Sequence, residues 1–146
     1  MTIFRTLTAA TLALAVVAGG LAPAQAGNSR VHIEQWGSHN SVGGGQSGYK
    51  QRLRVHQDGR GNHVISTQDG ARNQTVIGQS GRNNCVDSNQ QGRRNLTGVA
   101  QIGNSNCADI DVRGRNNAVG VIQIGNGNSA TTTQRGNGNV AVIVQE

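Results

Sequence analysis

The sequence predicts an all-β fold, an amyloid-like β-solenoid of ten 11-residue strand–turn units wound two to a coil into five coils. Three observations carry that expectation. Gln, Gly and Asn return at fixed places every eleven residues, as in residues 123–145, QIGNGNSATTTQRGNGNVAVIVQ. Within each unit, apolar residues alternate with polar ones. A glycine followed three residues later by asparagine punctuates each repeat.

With the first residue of each unit as position zero, units begin at 35, 46, 57, 68, 79, 90, 101, 112, 123 and 134. Position zero is Gln in nine of the ten, Val112 being the exception. Position two is always glycine, and the turn glycines of the eight regular units are Gly59, Gly70, Gly81, Gly92, Gly103, Gly114, Gly125 and Gly136. Position five is Asn except at Gln51, and no insertion breaks the frame. Eleven residues also make three turns of a helix in a right-handed supercoil. A glycine in every unit and an asparagine in most oppose helix formation. The apolar spacing opposes it too. Position seven (Val42, Leu53, Val64, Val86, Val119) and position nine (Val55, Ile77, Val99, Ile110, Val121, Ile143) flank a position eight that holds Arg54, Asp87, Asp109 and Thr131. A period of two is a strand with one buried face. Each unit therefore predicts a strand over about positions five to twelve, then a four-residue G-x-x-N reversal in which Gly and Asn supply the unusual backbone. Units that cannot bury a face alone stack into a solenoid.

The same spacing sends amides inward. Residues 22 apart fall one coil above another, at the ~4.8 Å separation of neighbouring strands. The predicted amide ladder comprises Gln57, Asn62, Gln68, Asn73, Gln79, Asn84, Gln90, Asn95, Gln101, Asn106, Asn117, Gln123, Asn128, Gln134, Asn139 and Gln145. A buried amide needs partners for its donors and acceptor. An identical amide above and below provides them, as in cross-β ladders. Asn126, by contrast, is expected in a turn, pointing away from any ladder.

Residues 1–26 read as a secretory signal peptide: Arg5, the apolar run Leu7–Leu21, then Ala24-Gln25-Ala26 as a cleavage site. A short leader, 27–34, precedes the repeat region 35–146, and secretion of the mature chain is expected. No other apolar run approaches the length of a membrane span. From residue 27 onward only Trp36 and Tyr49 are aromatic, and the single proline is Pro23. A core of large side chains is therefore excluded. The composition alone suits disorder; the unbroken frame argues against it. Without Arg5 the cations number 12 against seven acids, a net charge of +5. Such a surface suits anionic neighbours such as polysaccharide or extracellular DNA, or serves solubility.

The motif Q-x-G-x-x-N-x-(A/V)-x-x-x-Q stands here as QIGNSNCADID, QIGNGNSATTT and QRGNGNVAVIVQ, and upstream as QDGRGNHVIST and QDGARNQTVIG. It resembles the repeat of curlins, the subunits of bacterial curli amyloid fibres, over residues 35–146. The resemblance implies a secreted subunit, main or nucleating, that polymerises into a fimbrium- or pilus-like fibre on the cell surface for adhesion and biofilm matrix. It also implies partners: further copies of itself, another curlin-like subunit, and a curli-type outer-membrane secretion channel with its accessory proteins. The first two units depart from the pattern, with Gly43-Gly44-Gly45 in a strand centre and Tyr49-Lys50-Gln51-Arg52 in a turn.

An enzyme is not expected: the sequence holds no G-x-S-x-G, H-E-x-x-H or P-loop. Gly43–Gly48 matches a lone G-x-G-x-x-G but follows no strand–helix pattern. No cofactor, metal or small-molecule substrate is expected, and His32, His39, His56 and His63 read as surface residues. A monomeric basic solenoid gripping an anionic polymer is the alternative. Arg60 with Arg82, Arg93 with Arg115, Arg72 with Arg94, and Arg113 with Arg135 fall in shared columns. Like charges in columns also act as gatekeepers against uncontrolled stacking. Thr131-Thr132-Thr133 is not repeated along a column, which argues against ice binding. The final strand NVAVIVQ is apolar, an edge that invites another subunit.

Cys85 and Cys107 both occupy position six, 22 residues apart. Stacking at ~4.8 Å suits the Cα separation of a disulfide, about 4.4–6.8 Å, so an intramolecular bridge is expected in an oxidising compartment. Their column reads Ser41, His63, Cys85, Cys107, Ser129, so a metal site using His63 would lack a fourth ligand.

Overall fold

The computed structural model describes residues 27–146; the expected signal segment lies outside the described residues. Eleven strands follow one another: β1 (Arg30–Ser38), β2 (Ser41–Tyr49), β3 (Arg52–Arg60), β4 (His63–Ala71), β5 (Gln74–Arg82), β6 (Cys85–Arg93), β7 (Leu96–Asn104), β8 (Cys107–Arg115), β9 (Ala118–Asn126), β10 (Ser129–Asn137) and β11 (Val140–Gln145). Odd strands form one sheet, β1-β3-β5-β7-β9-β11, called sheet A below. Even strands form the other, sheet B, in the order β10-β8-β6-β4-β2. All neighbours are parallel and offset by 22 residues, so Gln57 lies beside Gln79 and Gly59 beside Gly81. The chain is a β-solenoid of about five two-strand turns, one turn per 22 residues.

The core is the narrow space between the sheets. Val55, Val64, Ile77, Val86, Val99, Ile110, Val119 and Val121 are buried there. Buried polar residues outnumber buried apolar ones, 19 to 12, so hydrogen bonding carries as much of the core as apolar burial does. Outside, sheet A from β7 onward presents Leu96, Ile102, Ile122, Ile124 and Val142 without a charge, whereas sheet B carries Asp87, Asp109 and Asp111.

Three features differ from the expectation. First, β1 begins at Arg30, inside the expected leader. Residues 30–34 occupy positions six to ten of one more unit, and Val31 and Ile33 pair with Leu53 and Val55. Second, strands are longer than expected, running from position six to position three of the next unit, and only two residues separate them, as at Arg72-Asn73. The glycines stay inside the strands. At Gly59 φ is +120°, and a Cβ there would land on the carbonyl oxygen of Gly81 one coil on. The glycine is required by the neighbouring coil's backbone rather than by a loose turn. Third, the left-handed residue of each corner is position four (Arg72, Asn83 and Ser105 at φ 58°, 55° and 57°), not the asparagine at position five. The G-x-G-x-x-G match, Gly43–Gly48, lies entirely within β2, which leads through a two-residue corner into β3.

Candidate functional site

The repeated amides form the chemistry-bearing core, and the two sheets use them differently. In sheet A the position-zero glutamines make one continuous column. Gln35 Nε2 donates to Gln57 Oε1 at 2.7 Å, and the same bond recurs at 2.8 Å from Gln57 to Gln79, Gln79 to Gln101, Gln101 to Gln123 and Gln123 to Gln145. The second hydrogen of each amide crosses to the opposite sheet: Gln101 donates to the Cys85 carbonyl and Gln123 to the Cys107 carbonyl, both at 3.0 Å. One side chain thus ties its coil to the next and closes its own coil.

Sheet B's column is looser. Gln46 donates to Gln68 at 2.9 Å and Gln68 to Gln90 at 3.4 Å, and the column then stops at Val112. Gln68 and Gln90 turn instead to hydroxyls on the facing sheet, Thr75 at 2.7 Å and Thr97 at 2.5 Å. Val112 has Val119 seven residues on, where Gln68 and Gln90 have threonine; Gln46 and Gln134 have Leu53 and Ala141 there. Past the break, the Gln134 Oε1 atom is buried without a hydrogen-bond partner.

The position-five asparagine side chains do not bond to one another. Asn62 Nδ2 donates to the backbone carbonyls of Asp58 and of Gly81 on the next coil, both at 3.2 Å, while its Oδ1 accepts from the Asn84 backbone amide at 3.1 Å. Asn73, Asn84, Asn95, Asn106 and Asn117 repeat this pattern. At position five the side chain lies at the corner and is taken up by the backbone carbonyls and amide there, which corrects the expected amide-to-amide ladder at that position. Gln51 fills the donor half of this role, to the Ser47 and Gly70 carbonyls, while its Oε1 is buried without a partner. At the C-terminal end Asn128 and Gln145 are half-buried and Asn139 is exposed, since no described coil lies above them. Asn126 belongs to β9 and accepts from Asn104 Nδ2 at 2.8 Å, an exposed amide pair rather than an isolated turn residue.

Cys85 and Cys107 are joined by a disulfide with their Cα atoms 4.6 Å apart. The bond ties β6 to β8, the pair of strands between which the glutamine column breaks. His63 Nδ1 is hydrogen-bonded to the Ser41 hydroxyl at 2.6 Å. Among the described residues no three His, Cys, Asp or Glu side chains converge on a point that could hold a metal ion. At the start of sheet A, Glu34 accepts from His32 at 2.9 Å and His56 at 3.3 Å; these hydrogen bonds, His32's foremost, hold its carboxyl below the usual glutamate range.

Both ends of the stack carry unpaired strand edges among the described residues. Val31 and Ile33 point into the core position of β1 yet are 55% and 43% exposed, and Ala141 and Ile143 on β11 are only half-buried. Thr75 and Thr97 are the site residues that repeat counting passes over, because they occupy an apolar position; their appearance at seven places after a sheet B glutamine is the signal that marks them. Comparison with family models, with curated proteins and with solved structures found no match.

Proposed function

We propose that this chain is a secreted structural subunit that stacks end on end into an amyloid-like fibre of the curli type on the bacterial surface, serving adhesion and biofilm matrix. The observation that carries this reading is the match between the two ends. The described strands number eleven. A second copy therefore continues the 11-residue frame without a gap when its β1 lies along β10 and its β2 along β11. Its Val31 then covers Ala130, its Gln35 covers Gln134, and its Gln46 covers Gln145, so sheet A of one copy continues as sheet B of the next. Such a contact is heterologous and open, the kind that propagates rather than closes. Gly136 fits it: a Cβ there meets no carbonyl oxygen, unlike one at Gly114, until a further coil arrives. Export through a curli-type channel, a role as main or nucleating subunit and pairing with another curlin-like subunit belong to the same proposal.

The test is assembly of the purified chain, with expected thioflavin-positive fibres and a meridional reflection near ~4.8 Å. A protein that stays monomeric, with its β-signal intact, at concentrations where related stacking edges aggregate overturns the reading.

A further inference from the structure

The two edges of the solenoid, where the chain passes between sheets, carry very different charge. The corners leading from sheet B to sheet A hold Lys50, Arg72, Arg93, Arg94 and Arg115 and no acid. The opposite corners, from sheet A to sheet B, hold only Arg60 and Arg82. Arg72, Arg93, Arg94 and Arg115 line a shallow groove of about 480 Å³ that ends on Tyr49 at one side and on Asn116 and Asn137 at the other. None of these four guanidinium groups takes part in an ion pair among the described residues. All four are exposed. Arg93 and Arg115 are direct strand neighbours, so like charges are stacked at the coil spacing. Arg72 and Arg94 sit at the left-handed corner position, φ 58° and 56°, which Gly61, Asn83, Ser105 and Asn116 hold at other corners. Stacked like charges repel at this spacing, a cost that no acid in these corners offsets.

We propose that this edge is a binding site for a linear acidic polysaccharide, a polymer whose carboxylates repeat along the chain with hydroxyls between them. Guanidinium forks bind carboxylates in pairs of parallel hydrogen bonds. Their backbone positions follow the stack axis, because Arg93 and Arg115 end successive strands of sheet B and Arg72 and Arg94 begin the corners that follow β4 and β6. The Asn116 and Asn137 amides, bonded to each other at 3.3 Å on the surface, offer neutral donors and acceptors for hydroxyls at one end of the groove. Nucleic acid fits less well. The groove from Tyr49 to Asn137 spans four coil steps, about 19 Å, over which a DNA duplex makes roughly half a helical turn and carries its phosphates away from a straight groove. A single strand needs aromatic platforms for its bases. Tyr49 is the one aromatic residue in the groove, and the Lys50 ammonium lies 5.0 Å from its ring centre.

The site does not depend on fibre formation, and it is tested on the full chain while it remains thioflavin-negative. Fluorescence anisotropy with a labelled oligoguluronate compares the native chain with R93Q/R94Q and with R60Q/R82Q, which remove equal charge from the two edges. Far-ultraviolet dichroism checks that each variant keeps its β-signal. The expected result is a loss of about tenfold or more in affinity for R93Q/R94Q, a change of about twofold or less for R60Q/R82Q, and a shallower salt dependence only in the former. Equal losses in the two variants, no binding of the native chain, or tighter binding of a 30-base-pair duplex or an oligothymidine than of the oligoguluronate each overturns the proposal.

Discussion

Sheets A and B are built on one repeat, yet their glutamine columns are held in opposite ways. In sheet A six glutamines from Gln35 to Gln145 bond directly, each at 2.7–2.8 Å. In sheet B the bond stretches to 3.4 Å between Gln68 and Gln90 and is interrupted at Val112. Sheet B compensates by two other means: the glutamines bond across to Thr75 and Thr97, and a disulfide joins β6 to β8 at the interruption. The lesson is that a stacked amide is one of several interchangeable links between coils. A hydroxyl on the facing sheet or a covalent bond substitutes, at the cost of a buried, unpartnered Gln134 Oε1 past the break.

The largest effect expected from breaking this balance is at the disulfide. Removing it by Cys85→Ser with Cys107→Ser frees a loop of about 22 residues and costs about 3 kcal/mol in the loop-entropy picture, to be read as a lowered midpoint in denaturant. A variant as stable as the native chain would show that sheet B needs no staple at its break. Next come the glutamines. Gln101→Leu leaves the Gln123 side-chain oxygen without its donor and removes the Gln101 bond to the Cys85 carbonyl, at about 2–3 kcal/mol. Gln90→Leu, in the looser column, should cost about 1 kcal/mol less. Identical losses would erase the distinction between the sheets.

A smaller effect sharpens the comparison from the other side. Val112→Gln restores a donor toward Gln134 but faces the apolar Val119; adding Val119→Thr reproduces the pairing of Gln90 with Thr97. The double variant should exceed the sum of the single ones by about 1 kcal/mol in a mutant cycle. Simple additivity would show that the facing threonines are incidental. The smallest effect concerns Glu34 on the first strand of sheet A. Its carboxyl is held below its ordinary range by His32 and His56. Its contribution is therefore present above the unfolded-state pKa and disappears as pH falls through the lowered folded-state value. Glu34→Gln should flatten this acid-side slope by slightly lowering the melting temperature at neutral pH, leaving the value below the folded-state pKa unchanged.

The stacking offset was legible in the sequence because it is carried by every unit: a frame of Gln, Gly and Asn that never slips admits one register, and the structure pairs all strands at 22 residues. The corners were less legible. Gly59 looks like a turn residue by type, and its need for the neighbouring Gly81 carbonyl appears only when the coils are stacked. Arg72 and Arg94 hold a left-handed backbone that side-chain preference would not assign to them. The inward direction of Asn62 followed from parity, but its partners did not, since the corner carbonyls and amide that take up its side chain are placed only when the coils are stacked. β1 was hidden because Arg30–Glu34 carries the alternation without the Gln-Gly-Asn frame that identifies the later units.

The uniform 22-residue offset has a consequence for how the chain acquires its structure. Each strand pair closes a loop of the same length, so each successive coil meets nearly the same closure entropy, and no pairing has to wait for distant parts of the chain to meet. Folding is then a one-dimensional zipper whose growth can start at any well-formed coil and spread in both directions. Partly zipped chains differ from the finished one only in the number of coils, with fraying confined to the ends, where Val31 and Val140 remain open to water.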